Sequence, residues 1–180
     1  TLSTGQTIAI AAGATSGSTP VAAPSDDMYV DAGGVSATIA STSGGGFEQL
    51  TVNPAAASTS VTDTIDTTTL SLSGSATVVE GAAGSYTVSL TSPAQTAVTV
   101  NLTYSGTAAN GADFTGVASV TIAAGASSAT FNIATLDDLI DEVAAESFTV
   151  TVASATGGNF ENLVISGTNN SVTTAITDND

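Results

Sequence analysis

The sequence predicts an all-β protein built from tandem β-sandwich modules, mostly antiparallel, with about seven strands in each. Three observations predict it. Apolar and polar residues alternate in short runs, turn-forming residues separate these runs, and no segment has a sustained helical period. The chain is also rich in Thr and Val, β-branched residues that favour strands. Short strands at this spacing are typical of a sandwich.

Five runs carry the alternation. The first, "SYTVSL", directs Tyr86, Val88 and Leu90 to one face, which is the pattern of a half-buried strand. The other runs are "AVTVNLTY", "SVTI", "TFNI" and "SFTVTV", and Gly-rich or Pro-containing segments separate them. The core residues that they predict are Val98, Val100, Leu102, Tyr104, Val120, Ile122, Phe131, Ile133, Phe148, Val150 and Val152.

The composition excludes several classes of function. The 180 residues include 16 Asp and Glu and no Lys, Arg or His, so the formal net charge is −16. Such a chain is repelled by nucleic acid and by anionic membranes. Without Cys it has no disulfide or thiol metal site, and no apolar run approaches the ~18 residues of a membrane helix. Most acid–base and nucleophilic arrangements are missing as well, so we predict that it is not an enzyme.

The chain repeats itself, which predicts its domain organisation. Residues 1–66 are predicted to be the C-terminal part of a sandwich repeat whose N-terminal strands are absent from this chain, and residues 67–180 a complete repeat. Those strands are expected either before Thr1 in a longer array or from another chain by strand complementation. The matching segments are 7–17 with 119–129, 24–41 with 135–154, "GGGFEQL" (44–50) with "GGNFENL" (157–163), and 60–66 with 175–180.

Carboxylates of the second repeat fall at turns. Glu80 follows a strand, Asp113 lies in a loop, and residues 137–148 ("DDLIDEVAAESF") contain five acids. Loops of a sandwich gather at its two ends, so a shared end would collect these side chains. Two carboxylates ~4 Å apart repel by roughly 4 kcal/mol at an effective dielectric near 20. They therefore either stay apart in water, as in a solvated acidic loop, or are joined by a cation.

Calcium is the cation that these residue types suit best. Ca²⁺ takes about 6–8 oxygen ligands from carboxylates and carbonyls, whereas Mg²⁺ keeps its waters. The lack of His and Cys disfavours zinc and copper. Composition alone leaves a calcium site and a solvated acidic loop both open.

Five motifs follow one another in the second repeat: "VVEG" (78–81), "GTAANGADF" (106–114), "VTIAAGASSATFNIATLDD" (120–138), "DEVAAESFTVTV" (141–152) and "ITDND" (176–180). Their order is typical of the Calx-beta domain, and residues 70–180 resemble that family. The chain is also similar to the immunoglobulin-like extender repeats of giant bacterial RTX-type adhesins. The first repeat resembles the same family over its latter half, through "SDD", "GGGFEQL" and "TDTID".

The resemblance implies a seven-stranded sandwich that binds Ca²⁺ where consecutive modules join. It also implies that Glu146 is either a ligand or a structural acceptor, and that Asn179 replaces an acid often present in the family. Glu48 and Glu161 are expected to have a structural role in their turns. The metal ligands that it implies are Glu80, Asp113, Asp137, Asp138, the backbone carbonyl of Ile140, Glu142, Asp178 and Asp180, with Asp26, Asp27, Asp63 and Asp66 in the first repeat.

The sequence and the resemblance together predict a structural protein. We expect a calcium-binding extender module of a secreted bacterial adhesin, or of a cell-surface or biofilm filament, rigidified by Ca²⁺ at module junctions. The expected partners are neighbouring repeats of the same protein. The alternatives are a homopolymer formed by strand exchange and a module that binds carbohydrate or another ligand. Tyr29 is the aromatic candidate for such binding, but a partly buried loop anchor is the simpler interpretation.

Overall fold

The structure is a computed structural model that describes residues 1–139 and 146–180. Over these ranges the chain forms strands and no helix, which confirms the all-β class. The chain divides into two compact units. Unit 1 comprises Thr1–Asp27 and Asp31–Thr64, and unit 2 comprises Met28–Val30 and Ile65–Asp180.

Unit 1 contains one small antiparallel sheet. Strands β1 (Gly34–Ala37) and β2 (Ala57–Ser60) pair with Gly34 opposite Ser60. A two-stranded sheet is marginally stable by itself in water. An apolar groove of about 500 Å³ lies beside it; its lining includes Leu2, Ile8, Val21, Val35, Ala37 and Ile39.

Unit 2 is a sandwich of two five-stranded sheets. The first has the order β4-β12-β10-β6-β8 and the second β11-β3-β5-β9-β7. Neighbouring strands are antiparallel except for the pairs β4–β12 and β11–β3, which are parallel. The strands are β3 (Thr67–Gly74), β4 (Thr77–Val79), β5 (Ala83–Leu90), β6 (Val98–Gly106), β7 (Phe114–Thr115), β8 (Ser119–Ile122), β9 (Ser128–Thr135), β10 (Glu146–Gly157), β11 (Asn162–Ile165) and β12 (Ser171–Thr177).

The core of unit 2 consists of the alternating residues that the sequence predicted. Tyr86, Val88 and Leu90 of β5 are buried, and so are the predicted positions of β6, β8 and β10 apart from Tyr104. Tyr104 and Phe131 are partly buried against this core. The two sheets meet through apolar contacts such as the stacked rings of Phe114 and Phe148, whose centroids are 4.4 Å apart.

A buried hydrogen-bond chain also joins the sheets. The hydroxyl of Tyr86 in β5 lies 2.5 Å from Oγ1 of Thr174 in β12. Thr174 Oγ1 donates in turn to the carbonyl of Ser75 at 2.6 Å, so the Tyr86 hydroxyl donates to Thr174. The hydroxyls of Tyr86 and Thr174 therefore both have a partner, as buried polar groups require.

A short segment from early in the chain completes unit 2. This segment, Met28–Val30, is called the strap below. The Val30 amide donates to the Asn159 carbonyl at 3.1 Å, and the Glu161 amide donates to the Met28 carbonyl at 3.1 Å. The strap therefore runs antiparallel to residues 159–161, and Tyr29 faces Phe160 as a bridge pair.

Tyr29 anchors the strap. Its ring stacks on that of Phe160 with centroids 5.6 Å apart, and its hydroxyl donates to the Pro93 carbonyl at 2.5 Å. In an antiparallel pair, residues that face each other without exchanging hydrogen bonds bring their side chains closest, which accounts for the stack. The interpretation of Tyr29 as a partly buried loop anchor is confirmed.

Candidate metal centre

Two strands deliver acids side by side at one end of unit 2. Strands β4 and β12 are parallel, with Val79 opposite Thr177, so the two strands end side by side at the same end of the sandwich. The next residues are Glu80 and Asp178. The Glu80 amide donates to the Thr177 carbonyl at 2.9 Å, which continues the ladder beyond the strand. Two acids that are nearly a hundred residues apart in sequence thereby lie at the same end of the sandwich.

The second sheet brings Asp137 to the same end of the sandwich. Strand β9 ends at Thr135, whose hydroxyl donates to the carbonyls of Val79 at 3.0 Å and Ala82 at 2.9 Å. These bonds tie the end of β9 to the turn that contains Glu80. Gly81 in that turn has φ +71°, and a Cβ there would lie 3.1 Å from Cβ of Asp137. Gly81 thus allows the turn to approach the acidic segment closely.

Glu80 is the buried member of this group. Its side chain is 8% exposed, and among the described residues its Oε2 atom has no hydrogen-bond partner. Burial raises the pKa of the Glu80 carboxyl above its ordinary value. The surrounding acids raise that pKa further, in the order Asp138, Asp178, Asp137 and Asp180. The carboxylate therefore lies in a negative field that no cationic side chain of this protein can offset.

Asp113 and Glu146 form a second carboxyl pair. The Leu136 amide donates to the Asp113 carbonyl at 2.9 Å, which holds the Asp113 loop beside the acidic segment. Burial raises the pKa of Glu146, and Asp113 raises it further through its charge and a side-chain hydrogen bond. A hydrogen bond between two carboxyl groups needs a proton on one of them. Asp113 Oδ2 also accepts from the Ala109 amide at 2.6 Å.

A neutral side chain binds the first Asp of the Asp-Asp pair in both units. In unit 2, Asn179 Nδ2 donates to Asp137 Oδ1 at 3.1 Å. In unit 1, Thr64 Oγ1 donates to Asp26 Oδ1 at 2.5 Å. The internal repeat aligns Asp26 with Asp137 and Thr64 with Asn179, so the two contacts are equivalent. The sequence analysis did not predict this contact, although the alignment of the repeats already matches Asp26 with Asp137 and Thr64 with Asn179.

The structure brings together most of the acids predicted in the second repeat. Asp137, Asp138, Asp178 and Asp180 lie close enough to Glu80 to shift its pKa, while Asp113 pairs with Glu146. Two predicted ligands, the carbonyl of Ile140 and the side chain of Glu142, lie outside the described residues.

The predicted ligands of the first repeat are divided between the two units. Asp26, Asp27 and Asp63 belong to unit 1, where Asp63 Oδ2 is buried and accepts no hydrogen bond from the described residues. Asp66 belongs to unit 2, where its amide donates to Glu161 Oε2 at 2.8 Å. This contact gives Glu161 the structural role predicted for it.

Within residues 1–139 and 146–180, no group of three or more acidic side chains is arranged closely enough to hold a metal ion. Some of the donor oxygens already have partners; Asp178 Oδ1, for example, accepts from the Asp180 amide at 3.0 Å. The chemistry of the set nevertheless fits Ca²⁺, because every side-chain donor is a carboxylate oxygen. The buried Glu80 Oε2, without a partner in the described chain, is the atom best suited to it.

Comparison with known proteins identifies the family. A family model described as the LapA domain matches residues 1–64 and 66–179. The chain belongs to the LapA domain family. Membership makes it an adhesin-related β domain of the cell-surface kind. No curated protein sequence matches this LapA chain.

Among solved structures, the LapA chain is similar to the crystal structure of the apo form of the Calx CBD1 domain. The TM-score is 0.53 and the sequence identity 23%, over 63% of this chain and 98% of that one. At this identity the likeness shows the fold alone, and it agrees with the predicted Calx-beta-like sandwich. Both comparisons are with non-enzymatic kinds of domain. In the described parts of the LapA chain, no helix has the length and apolarity needed to cross a bilayer.

Proposed function

We propose that the chain is a calcium-stabilised extender segment of a secreted bacterial adhesin, of the RTX type, or of a cell-surface or biofilm filament. The observation that carries the proposal is the buried Glu80 carboxylate, whose Oε2 has no hydrogen-bond partner in the described chain while four further acids act on it. A buried charge is tolerated in proteins when it is paired or binds a metal. Since the chain has no Lys, Arg or His, a cation from solution is the available partner.

The proposed ligands are the acids that share the end of unit 2. Glu80, Asp137, Asp138, Asp178 and Asp180 would hold Ca²⁺, with Asp113 and Glu146 beside them. The Ile140 carbonyl and Glu142 remain proposed ligands from the resemblance. Bound Ca²⁺ would supply positive charge and cross-link the ends of strands that belong to both sheets. The Asp137–Asn179 bond occupies one of these oxygens in the described chain.

The first repeat is proposed to bind calcium more weakly. Asp26, Asp27, Asp63 and Asp66 are its candidate ligands, and the Asp26–Thr64 bond repeats the contact of Asp137 with Asn179. However, nothing in residues 1–66 aligns with Glu80 or Asp113. Fewer charged ligands lower the affinity of a calcium site, so the two repeats are expected to differ.

Calcium-dependent melting tests the proposal. A ligand at ten times its dissociation constant stabilises the folded state by about 1.4 kcal/mol, which corresponds to about 3–6 °C per site for a chain of this size. We expect the parent chain to melt at least that much higher in millimolar Ca²⁺ than in chelator, with little effect of Mg²⁺. Small-angle scattering should show a smaller spread of conformations in calcium.

Two variants make the test specific to the proposed centre. Glu80→Gln should remove most of the calcium effect, whereas Glu48→Gln, an exposed acid of unit 1, should keep it. Equal melting temperatures and radii of gyration in calcium and chelator would contradict the proposal.

The groove of unit 1 supports a second candidate, a filament subunit assembled by strand exchange. The groove is apolar and adjoins a sheet of only two strands, so a β-strand from another chain could add to the sheet edge. Sedimentation at increasing concentration separates the candidates. Strand exchange predicts oligomers that persist on dilution, and the extender predicts none.

A further inference from the structure

We propose that the groove of unit 1 binds a strand of the β5 type, supplied by another repeat of this protein. The proposal rests on the second candidate function, strand exchange, and names the strand that is exchanged. It follows from the internal repeat, because the elements that unit 1 shares with unit 2 reveal which element of the sandwich unit 1 lacks. Residues 1–66 contain no segment that aligns with β5.

The sheet of unit 1 is the counterpart of the pair β10–β12. The repeat aligns Val35 with Phe148 and Thr59 with Thr174. Val35 lies opposite Thr59, and Phe148 lies opposite Thr174, so the two strand pairs have the same register. Unit 1 therefore keeps two neighbouring strands of the first sheet of the sandwich.

A counterpart of β9 also borders the groove. The repeat aligns Gly17, which lines the groove, with Ala129 of β9. The turn before it is kept as well, since Gly13 has φ of +83° and its counterpart Gly125 has φ of +82°. The groove is therefore bordered by the counterparts of β9 and of β10–β12, which belong to different sheets of the sandwich.

Strand β5 connects the corresponding elements in unit 2. It pairs with β9, where Val88 lies opposite Ala129. From the same strand, Tyr86 reaches the inner face of the first sheet. Its ring centroid lies 6.3 Å from that of Phe148, and its hydroxyl is hydrogen-bonded to Thr174. The groove of unit 1 thus corresponds to the place that β5 fills in unit 2.

The inner face of unit 1 is accordingly uncovered. Thr174 is fully buried in unit 2, whereas its counterpart Thr59 is exposed. Residues 18–24, which continue the counterpart of β9, form no strand. A strand needs a hydrogen-bonded neighbour, and the neighbour of β9 in unit 2 is β5. A β5-type strand would therefore supply both the missing cover and the missing neighbour.

The lining of the groove specifies the chemistry of this strand. All the residues that border the groove are uncharged, although the chain contains 16 acids. Burying a carboxylate there without a partner would be costly. The matching occupant is an uncharged, extended segment with alternating apolar side chains, as in β5. A Tyr at the position of Tyr86 would donate its hydroxyl to Thr59, as Tyr86 does to Thr174.

Peptide binding tests the site in the 180-residue chain. The probe is a fluorescent peptide of residues 82–91, which contains β5, with blocked ends. We expect saturable binding by fluorescence anisotropy in chelator, and changes in the amide chemical shifts of Gly17, Val35 and Thr59. The matched control is a peptide of residues 168–177, which is equally long and uncharged. It contains β12, whose counterpart β2 is already in place, so it should not bind.

A double-mutant cycle tests the predicted hydrogen bond. Tyr86→Phe in the peptide and Thr59→Ala in the chain should each weaken binding about fivefold, because each removes the same bond. Combining the two should weaken binding no further than either one alone. Ser58→Ala, on the opposite face of β2, should leave the affinity unchanged. Ser58 and Thr59 are both exposed, so the chain should fold with either substitution.

These outcomes are distinct from those that test assembly. Binding of the β5 peptide with the expected coupling supports the proposal, even if sedimentation finds no oligomers of the chain. Absence of binding at millimolar peptide, equal binding of the two peptides, or shift changes outside the groove would overturn it, whether or not the chain assembles. Full additivity of the two substitutions would overturn it as well.

Discussion

Glu80 is buried at the end of a sandwich in a protein without a cationic side chain. The folded protein can therefore accommodate this carboxyl in two ways: the carboxyl binds a proton, or a metal ion from solution neutralises its charge. The raised pKa of Glu80 favours the protonated form when no metal is present. In the proposed calcium centre, the ionised form binds Ca²⁺. Glu146 beside Asp113 has the same choice, since burial and its neighbour both raise its pKa.

These pKa shifts predict how stability depends on pH. The folded-state pKa values of Glu80 and Glu146 lie above the ordinary value of 4.5, so the folded chain binds more protons than the unfolded chain just above that pH. Stability without metal should consequently fall as pH rises through this range. In chelator we expect the free energy of unfolding, measured with urea, to be larger at about pH 5 than at about pH 7.

Glu146→Gln provides the matched control for the pH profile. This variant should be more stable than the parent at neutral pH and should have a flatter profile, because it removes one of the groups that bind a proton on folding. Calcium should reverse the slope, since it binds the ionised carboxylates. A parent chain whose stability in chelator is constant or rises from acid to neutral pH would contradict this description of the centre.

At the residue scale, the sequence predicted several acids that the structure places at one end of unit 2, but not how they are arranged. The motif order identified Glu80 and Asp178, and the parallel pairing of β4 and β12 explains why they meet. A strand before Glu80 was expected, but its parallel pairing with β12 was not predictable, because a three-residue strand does not show in the sequence which strand lies beside it. The hydrogen bond of Glu146 to Asp113 depends on side-chain packing that sequence spacing does not encode.

The turn between β4 and β5 is the element that connects the sandwich to the acidic centre. It contains Glu80, and it is fixed from the opposite sheet by Thr135 at the end of β9. The close approach of Asp137 to this turn depends on Gly81, whose φ of +71° is unfavourable for any residue with a Cβ. Turn geometry, rather than strand packing, therefore controls the spacing of Glu80 and Asp137.

Gly81→Ala should destabilise the chain by about 1–2 kcal/mol, because alanine is strained in the left-handed region and its Cβ would crowd Asp137. Urea unfolding in chelator measures the loss. Gly167→Ala is the matched control: Gly167 does not have a positive φ and a Cβ there meets no atom within 4 Å, so the change should be about 0.5 kcal/mol or less. Equal effects of the two substitutions would argue against the role given to the Gly81 turn.

At the element scale, alternation was a good guide to the long strands. It predicted β5, β6, β8, β9 and β10 together with their buried faces. The sandwich has ten strands in two five-stranded sheets instead of about seven, and β3, β7 and β11 lie outside the five alternating runs that the sequence showed. The strap was also not predictable, because its pairing with residues 159–161 joins segments far apart in sequence.

On the scale of the whole molecule, the charge of −16 and the repeat are the dominant features. Each unit has an Asp-Asp pair bound by a neutral side chain from its closing segment. Glu80, the buried acid that follows β4 in unit 2, has no aligned equivalent in residues 1–66. An array of such units would carry a large negative charge, and calcium would reduce the repulsion at every site that it occupies. The domain boundaries at residues 66 and 67 remain a prediction.

The central claim is that unit 2 binds Ca²⁺ through the acids around Glu80, and isothermal titration calorimetry tests it most directly. Calcium is titrated into the metal-free 180-residue chain at physiological ionic strength, and then into the double variant Glu80→Gln with Asp178→Asn. We predict saturable binding with a dissociation constant in the extracellular range of about 10⁻⁴–10⁻³ M, and its loss in the double variant. Absence of binding at millimolar calcium, or binding that the double variant retains in full, would contradict the account.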